Sequence, residues 1–442
     1  MGSAGVGAGD PTRYVSLAGT DNPTCNPTPC RHVQWAVGVA LPGDTVNIGA
    51  GTYVEQVLVD RNLTLAGAGV DVTIIKGPDV KAFDAYHRTY ILELTNGATV
   101  TVNNLTVTGP SGPGGGLDCA PNPLSLDMGI AAINDATLNL NSAAVRNIYD
   151  IDTSGNENSG CQRGDAISIG KPGGVDPTLG VPAHGNIGGV LVSIFQKDGI
   201  AVRTAGSTLN AAYNRVVNTP SNVIASNGIE VVDGPVANVQ HNEVSGNQCN
   251  LLPGVICGPS DPINLTQASG ILSFGAAPST VIANNQVFAN DMGIYTDDGI
   301  RILNNQDSNN RAVGLYVDTD ATNLRAFGNT TNNDGVYGIA IGPAFPVSVG
   351  GTGKPNPGGN FFVNDTAFGN SQYDMWQSID AGPNTNEDNH CNTAFPSTTY
   401  WDCEQGEQAG DNDNDNDDRE VGGDGQGHDD NHDVKHPEDR RD

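Results

Sequence analysis

Two neighbouring segments of the chain carry tyrosines and carboxylates at matching positions. The first holds Tyr295, Asp297 and Asp298, and the second holds Tyr316, Asp318 and Asp320. Tyrosine rings stack on the apolar faces of sugars, and carboxylates bind sugar hydroxyls or a cation. Carboxylates brought together repel one another, so one of them has a raised pKa or a calcium ion lies between them. We therefore predict a substrate site formed by Tyr295, Tyr316, Asp297 and Asp318, and a calcium site formed by Asp297, Asp298, Asp318 and Asp320.

A repeated sequence positions these residues. A Gly-Ile or Gly-Leu pair followed by alternating residues and an Asn-rich turn recurs at Gly270, Gly293, Gly314 and Gly338. The spacings are 293 − 270 = 23, 314 − 293 = 21 and 338 − 314 = 24 residues. The alternation has a period of two, which is typical of strands with one buried face. A strand, a turn and another strand in each repeat predict coils that stack in parallel, with the Gly-Ile copies in one column.

Stacked coils bring side chains of successive repeats together, because parallel strands lie about 4.8 Å apart. Tyr295 should lie beside Tyr316, and Asp297 beside Asp318, on the outer surface. Asparagines such as Asn285, Asn305 and Asn329 recur in the turns and are expected to form ladders, since Asn bonds turn backbone and tolerates left-handed angles.

The same acids allow other interpretations. Two carboxylates that flank a glycosidic bond could hydrolyse it, whereas a lyase also needs a base. Arg203 falls in the outward column of Asp297 but three coils away, roughly 14 Å at the strand spacing. Glu230 and Asp233 with Arg203 suggest a surface ion pair of little energetic value. The acids could also be solvated turn positions, so the catalytic residues stay unassigned.

The stretch that begins Pro42-Gly-Asp-Thr-Val-Asn-Ile resembles the opening of right-handed parallel β-helix proteins of the pectate-lyase-like superfamily. The preceding Cys30-Arg-His-Val-Gln-Trp-Ala resembles the short helix that caps the first coil in that family, here His32–Leu41. The resemblance covers about residues 25–403 and implies an all-β solenoid. In lyases of the superfamily, calcium held by carboxylates bridges to a uronate, and Arg or Lys abstracts its proton.

The resemblance extends to hydrolases of the superfamily. Tyr295-Thr-Asp-Asp-Gly-Ile and Tyr316-Val-Asp-Thr-Asp resemble the carboxylate motifs of polygalacturonases. The Gly-His-Gly motif expected in the next coil is replaced by Tyr337-Gly-Ile-Ala-Ile-Gly. The fold alone does not select an activity within this superfamily.

Composition divides the chain into four parts. We expect an N-terminal segment with a capping helix at 1–41, the β-helix at 42–370, a C-terminal cap at 371–403 and a disordered acidic tail at 404–442. The tail holds 15 acids against four bases, a net charge of 4 − 15 = −11, and has too few apolar residues to fold.

Eight cysteines predict an oxidising compartment and four disulfides. Pairing in sequence order is one of several possible connectivities and gives Cys25–Cys30, Cys119–Cys161, Cys249–Cys257 and Cys391–Cys403. The first residues lack the charged and apolar parts of a signal peptide, as in a mature secreted chain expressed without its leader.

The net charge of the chain limits the classes of partner that it can bind. A formal net charge of −30 disfavours nucleic acid and anionic membranes, and no apolar stretch approaches the roughly 18–20 residues of a membrane span. We expect a secreted or cell-surface protein that binds extracellular polysaccharide or cell-surface components, with calcium as cofactor. The alternatives are a calcium-dependent lyase or hydrolase of acidic (uronate) polysaccharide, and a structural or adhesive rod without ligand. Self-assembly of the chain is a further expected partner interaction.

Overall fold

The strands of this chain are short, and each pairs with strands one repeat before and one repeat after it. The computed structural model describes residues 11–109, 123–149, 163–171, 180–219, 225–249, 268–318, 321–342, 358–378 and 381–404. Within these residues the strands form three parallel sheets of 13, 12 and 13 strands. The strands fall within one compact unit, Met1–Gly406.

The strands of each sheet follow one another at intervals of one coil. The first sheet contains Thr12–Val15, Thr45–Ile48, Leu63–Gly67, Thr99–Asn103, Thr137–Asn141, His184–Gly188, Thr208–Ala212, Val236–Gln240, Val281–Ala283, Arg301–Leu303, Arg325–Phe327, Phe361–Val363 and Thr385–Glu387. The second sheet contains Val57–Val59, Leu92–Leu94, Met128–Ala132, Asp165–Ile169, Asp198–Arg203, Asn227–Val232, Ser269–Phe274, Met292–Thr296, Val313–Val317, Tyr337–Ile341, Tyr373–Gln377 and Ala394–Phe395. The third sheet contains Gly51–Val54, Thr73–Lys76, Thr106–Thr108, Ala144–Ile148, Leu191–Phe195, Arg215–Val217, Glu243–Ser245, Gln286–Phe288, Gln306–Ser308, Thr330–Asn332, Thr366–Phe368, Asn389–Cys391 and Cys403–Glu404.

The register confirms the predicted right-handed parallel β-helix. The apolar residues of the Gly-Ile copies pair in one continuous column, which consists of Ile200, Ile229, Ile271, Ile294, Leu315 and Ile339. All of them are fully buried. Alternation therefore sends one set of side chains into the core and the other set onto the outer faces.

The recurrent glycine has a steric cause. A Cβ atom at Gly270 would lie 2.4 Å from Val287 Cγ1 and 2.8 Å from the carbonyl oxygen of Gly293. These distances are far below van der Waals contact, and one neighbour is backbone of the next coil. The glycine is needed because the sheet corner leaves no room for a side chain, so the Gly-Ile motif marks this corner in each coil.

Two ladders of side-chain amides run through the turns, as predicted for Asn285, Asn305 and Asn329. The first ladder contains Asn214, Asn242, Asn285, Asn305, Asn329, Asp365 and Asn389, and the second contains Asn247, Asn290, Asn310, Asp334 and Asn370. In the first ladder Asn305 Nδ2 donates both to Asn329 Oδ1 at 3.0 Å and to the Ile282 carbonyl at 3.0 Å. Each rung therefore bonds the next coil and the preceding backbone.

The helix that precedes the second strand is shorter than predicted, at Val33–Val39 rather than His32–Leu41. Its first two amides donate to the Glu55 carboxylate, from Val33 N at 2.9 Å and Gln34 N at 2.8 Å. This carboxylate satisfies the open N-terminus of the helix. The first strand, Thr12–Val15, lies before the helix in sequence and pairs with Thr45–Ile48.

The other end of the solenoid is closed by Trp401, which is fully buried and packs edge-on against Phe362 with ring centroids 5.7 Å apart. Strands beyond residue 370 continue all three sheets. The boundaries of the four predicted parts stay predictions, and the tail lies almost wholly outside the described residues.

Disulfides join Cys25 to Cys30 and Cys391 to Cys403, as predicted. Cys249 is also disulfide-bonded. Cys119, Cys161 and Cys257 lie outside the described residues. No helix within the described ranges is long and apolar enough to span a membrane.

Asp365 occupies a ladder position that Asn holds in the neighbouring coils. Its Oδ1 accepts from Asn329 Nδ2 at 2.9 Å, but its Oδ2 is buried with no hydrogen-bond partner among the described residues. In Asn329, one coil earlier, the nitrogen Nδ2 holds the position of Asp365 Oδ2 and donates to the Ile302 carbonyl. Burial raises the pKa of Asp365 to about 7, because a charged oxygen in this place has no donor to face.

We predict that Asp365→Asn stabilises the protein at pH 8. The folded carboxyl binds its proton more tightly than the unfolded chain does, so its contribution is present at pH 4 and is lost as pH rises through about 7. An amide supplies the missing donor without ionising, and a gain of about 1–3 kcal/mol is expected at pH 8. Thermal unfolding at pH 5 and pH 8 measures it. Asn305→Asp is the matched control and should show the opposite sign; equal Tm for wild type and Asp365→Asn at pH 8 would refute the assignment.

Candidate functional site

The outer surface of the second sheet carries an aromatic face near the C-terminal end of the solenoid. We use this name for six residues on five successive strands: Tyr295, Tyr316, Tyr337, Tyr373, Trp376 and Phe395. The whole chain has 11 Tyr, 10 Phe and 3 Trp, so a quarter of its aromatic residues lie here. Five of the six belong to a hydrophobic cluster that is separate from the main core of the solenoid.

The rings of the aromatic face contact one another along the solenoid. Tyr295 and Tyr316 have ring centroids 5.4 Å apart, and Tyr337 stacks on Trp376 at 5.3 Å. Trp376 also stacks on Phe395, at 6.4 Å. Tyr316 is 1 % exposed and Tyr337 is 7 % exposed, whereas Tyr295 and Trp376 are half-buried. The buried rings therefore support a strip of accessible ones.

The two predicted tyrosines are neighbours, but they have different surroundings. The Tyr316 hydroxyl donates to the Gly342 carbonyl at 2.7 Å. The Tyr295 hydroxyl donates to the Asp318 carboxylate, and burial followed by that carboxylate raises the pKa of Tyr295. Tyr295 is thus tied to Asp318 by its hydroxyl, and the buried Tyr316 packs against its ring.

Asp297 and Asp298 form a pair of adjacent carboxyls beside this strip. The Gly275 amide donates to Asp297 Oδ1 at 3.0 Å, and the Ser273 hydroxyl donates to Asp298 Oδ2 at 2.6 Å. Burial raises the pKa of Asp297 to about 8, and the Asp298 charge adds to the rise. The pKa of Asp298 is also raised by burial. The pair therefore holds a proton at neutral pH, as expected for carboxyls that share a site.

The predicted calcium ligands are only partly described. Asp297, Asp298 and Asp318 are placed on one side of the solenoid, and Asp320 lies outside the described residues. Among the described residues, no three acidic, His or Cys side chains converge into a group that could hold a metal ion. The Asp297–Asp298 pair supplies two oxygen ligands, of the kind that calcium takes.

A second polar cluster on the same sheet was misjudged from sequence. Arg203 Nη1 donates to Asp165 Oδ2 at 2.7 Å, and its Nη2 donates to Asp198 Oδ2 at 2.5 Å and to Glu230. Arg203 is 4 % exposed and Asp198 is fully buried. The expected surface ion pair is therefore a buried network, and Asp233 belongs instead to a pair with Lys171 at 2.9 Å.

One guanidinium cannot neutralise three carboxylates. Burial raises the pKa of Glu230 to about 7 despite the opposing effect of Arg203, and burial raises that of Asp198 as well. Burial by itself would lower the pKa of Arg203, but the surrounding carboxylates raise it well above its ordinary value. A guanidinium held in this way does not abstract a proton, so Arg203 does not supply the base that a lyase needs.

The sequence did contain a signal for this network. Asp198 precedes a Gly-Ile copy directly, and Asp165 stands two residues before Ile167, which pairs with Ile200. The two acids thus hold the same position in consecutive coils. A further buried acid, Glu93, lies on the same sheet and was not predicted as part of a site; burial raises its pKa to about 8.

Comparison with known proteins concerns the fold alone. No protein-family model matches the sequence, and no curated protein matches it. Among solved structures, the chain is similar to an alginate lyase from Paenibacillus sp. (14 % identity, TM-score 0.41, 82 % of this chain and 95 % of that one). It is also similar to the A-module of mannuronan C-5 epimerase AlgE4 from Azotobacter vinelandii (14 %, 0.38, 85 % and 95 %). A third similar structure is ORF18 of Geobacillus virus E2 (12 %, 0.39), of which the chain spans 56 % of the length.

We predict that Arg203→Met destabilises the protein strongly. Its removal takes the hydrogen-bonded cation away from three buried carboxyls and leaves Lys197 as the cation that acts on Asp198 and Glu230. Losses of about 3–5 kcal/mol are typical for breaking a buried ion pair. Arg215→Met is the matched control, because the Arg215–Glu243 pair is exposed and should contribute less than about 1 kcal/mol. Urea unfolding at pH 8 measures both variants. A cost for Arg203→Met no larger than that of Arg215→Met would show that the network is not a buried charge cluster.

Proposed function

We propose that this protein binds an extracellular polysaccharide on its aromatic face. The observation that supports the proposal most directly is the strip of half-buried rings, Tyr295, Tyr373, Trp376 and Phe395, bordered by the Asp297 and Asp318 carboxyls. Rings offer planes for the apolar faces of sugars, and carboxyls offer hydrogen bonds to hydroxyls. Together they match the mixture of apolar contact and a few fixed polar groups found in ligand sites.

The repeat of the solenoid suits a polymer. Successive strands present side chains about every 4.8 Å along the axis, so a polymer lying along the face can meet equivalent contacts in several coils. Many weak contacts on one chain add to high avidity. An isolated sugar would gain only one set of contacts.

The charge of the chain bears on the kind of polymer. A formal charge of −30 repels uronate polymers unless a cation bridges them. Calcium on Asp297 and Asp298, with Asp318 and Asp320, would supply that bridge, and its binding is part of the proposal. A neutral polysaccharide needs no bridge and is held by the rings and by the protonated Asp297 carboxyl.

An extracellular site of action agrees with the disulfides Cys25–Cys30 and Cys391–Cys403, because such bonds persist in oxidising compartments. The second candidate, a lyase, lacks support at Arg203, since that side chain is buried among three carboxylates. Two carboxyls with a proton between them, as at Asp297, keep hydrolysis as an alternative.

We predict that Trp376→Ala and Tyr295→Ala each weaken polysaccharide binding about tenfold or more, since stacked aromatic residues dominate binding sites of this kind. Affinity electrophoresis in gels containing a neutral glucan, alginate or polygalacturonate measures retardation for each variant. Tyr213→Ala is the matched control, because Tyr213 is 70 % exposed but stacks on His241 away from this face.

Failure of all three polymers to retard the wild-type protein would contradict the proposal, as would equal weakening by Tyr213→Ala. Incubation with the same polymers, followed by chromatography of the products, tests the enzyme alternative. Product formation that is abolished by Asp297→Asn would replace binding by hydrolysis or elimination as the function of this site.

We predict that calcium binds more tightly at pH 9 than at pH 6. The proton on the Asp297–Asp298 pair must leave before the ion enters, and the pKa of Asp297 of about 8 places that loss between these two pH values. Calorimetric titration of calcium into wild type, Asp297→Asn and the exposed control Asp135→Asn measures the effect. Binding that is independent of pH, or that survives in Asp297→Asn, would show that calcium binds elsewhere.

A further inference from the structure

The first sheet carries a second surface of repeated residues, in which Thr and Asn take the place of the rings and carboxyls of the aromatic face. We name it the Thr/Asn column. It consists of eight outward residues paired on eight successive strands, which are Thr12, Thr45, Thr64, Thr101, Asn139, Asn186, Asn210 and Asn238. All eight are short, uncharged and at least partly exposed. Their inward neighbours, such as Val102 and Leu140, are fully buried and hold the strands in place.

The amides of the column are aligned. Asn186 Nδ2 donates to Asn139 Oδ1 at 2.9 Å, and Asn210 Nδ2 donates to Asn186 Oδ1 at 2.8 Å. Asn186 therefore donates and accepts within the column, whereas Asn139 only accepts there and Asn210 only donates. These bonds align three successive amides, whose remaining donors and acceptors can bond solvent.

Seven of the eight flanking outward positions are also small or polar, and the first is the exposed Tyr14. Two residues further along the other seven strands stand Asn47, Ala66, Asn103, Asn141, Gly188, Ala212 and Gln240. The column ends abruptly in the next coils, where the paired positions are Val281, Arg301, Arg325 and Phe361. The uncharged column is therefore a feature of eight particular coils and not of the fold.

The column carries no charged side chain. None of the 70 Asp, Glu, Lys and Arg residues of the chain, from 50 + 20, occupies these eight positions. Nor does an aromatic ring, so the column lacks the planes that favour sugars. An uncharged partner with a regular array of hydrogen-bonding groups is the complement of such a surface.

In this column the strand spacing common to all three sheets falls on uncharged hydrogen-bonding side chains over eight coils, and the combination suits ordered water. Parallel strands repeat about every 4.8 Å. In a tetrahedral water network with hydrogen bonds of about 2.8 Å, next-nearest oxygens lie about 4.6 Å apart. Waters that bridge successive rungs can therefore occupy positions close to those of the ice lattice, and bridging waters of this kind cost little to immobilise. A charged group would instead orient water radially around itself.

From this register, we propose that the Thr/Asn column binds ice. The ordered first-layer water on the column joins the crystal surface, and the rigid coil stack keeps the rungs in step. The interaction uses the first sheet and does not involve the aromatic face of the second sheet, so it is separate from polysaccharide binding.

The test uses the full-length protein and a single ice crystal held just below its melting point. The wild type is expected to separate the freezing temperature from the melting temperature and to inhibit recrystallisation. Thr101→Tyr places a ring across the column and should abolish most of this effect. Thr52→Tyr is the matched control, because Thr52 is exposed on the third sheet, and it should retain the effect.

Asn186→Lys introduces a charge at an exposed rung, and it tests the column if Thr101→Tyr does not fold. A wild type that leaves ice growth unchanged overturns the proposal. Equal loss in Thr101→Tyr and Thr52→Tyr, with both folded by circular dichroism, also overturns it. Retention on crystalline cellulose or chitin that Asn186→Lys abolishes, without an effect on ice, would assign the column to a glycan surface instead.

Discussion

Parallel pairing at a fixed spacing is the constraint on which every other feature of this protein depends. Each coil contributes one strand to each sheet, and each strand bonds the same strand of the next coil. A residue type that recurs at one position therefore becomes a column about 4.8 Å per step. Inward columns form the core, turn columns form the amide ladders, and outward columns form surfaces of repeated chemistry.

The ladders show how strictly this constraint operates. Asn305 at a ladder position donates from its nitrogen to the next coil and to the preceding backbone, and its oxygen accepts from Asn285 of the preceding coil. Asp334 and Asp365 occupy the same positions with an oxygen in place of the nitrogen, and burial raises the pKa of each to about 7. Asp307 lies inward in a column that holds Val287 in the preceding coil, and burial raises its pKa well above the ordinary value. The solenoid tolerates these acids because the raised pKa favours the protonated, uncharged carboxyl inside it.

The three sheets serve different purposes on their outer faces. The second sheet concentrates acids and aromatic residues, and its buried Arg203 network and Asp297–Asp298 pair both keep more carboxyls than counter-charges. The first sheet presents Thr and Asn over eight coils. A single repeat length thus supports two unrelated surfaces, because the outward residues are free of the packing that fixes the inward ones.

The sequence alone determined the repeat, the strand direction and the inward column, because period-two alternation and the Gly-Ile spacing state them directly. It also paired Tyr295 with Tyr316 and assigned two disulfides that the structure contains. Burial on the outer faces was decided only by tertiary structure. Arg203 and Tyr316 point outward by alternation, yet neighbouring coils and side chains cover them. Residues distant in sequence, such as Tyr337 and Trp376, meet only once the coils are stacked. Local pattern fixes the direction of a side chain, but the dielectric around it depends on what the fold places above it.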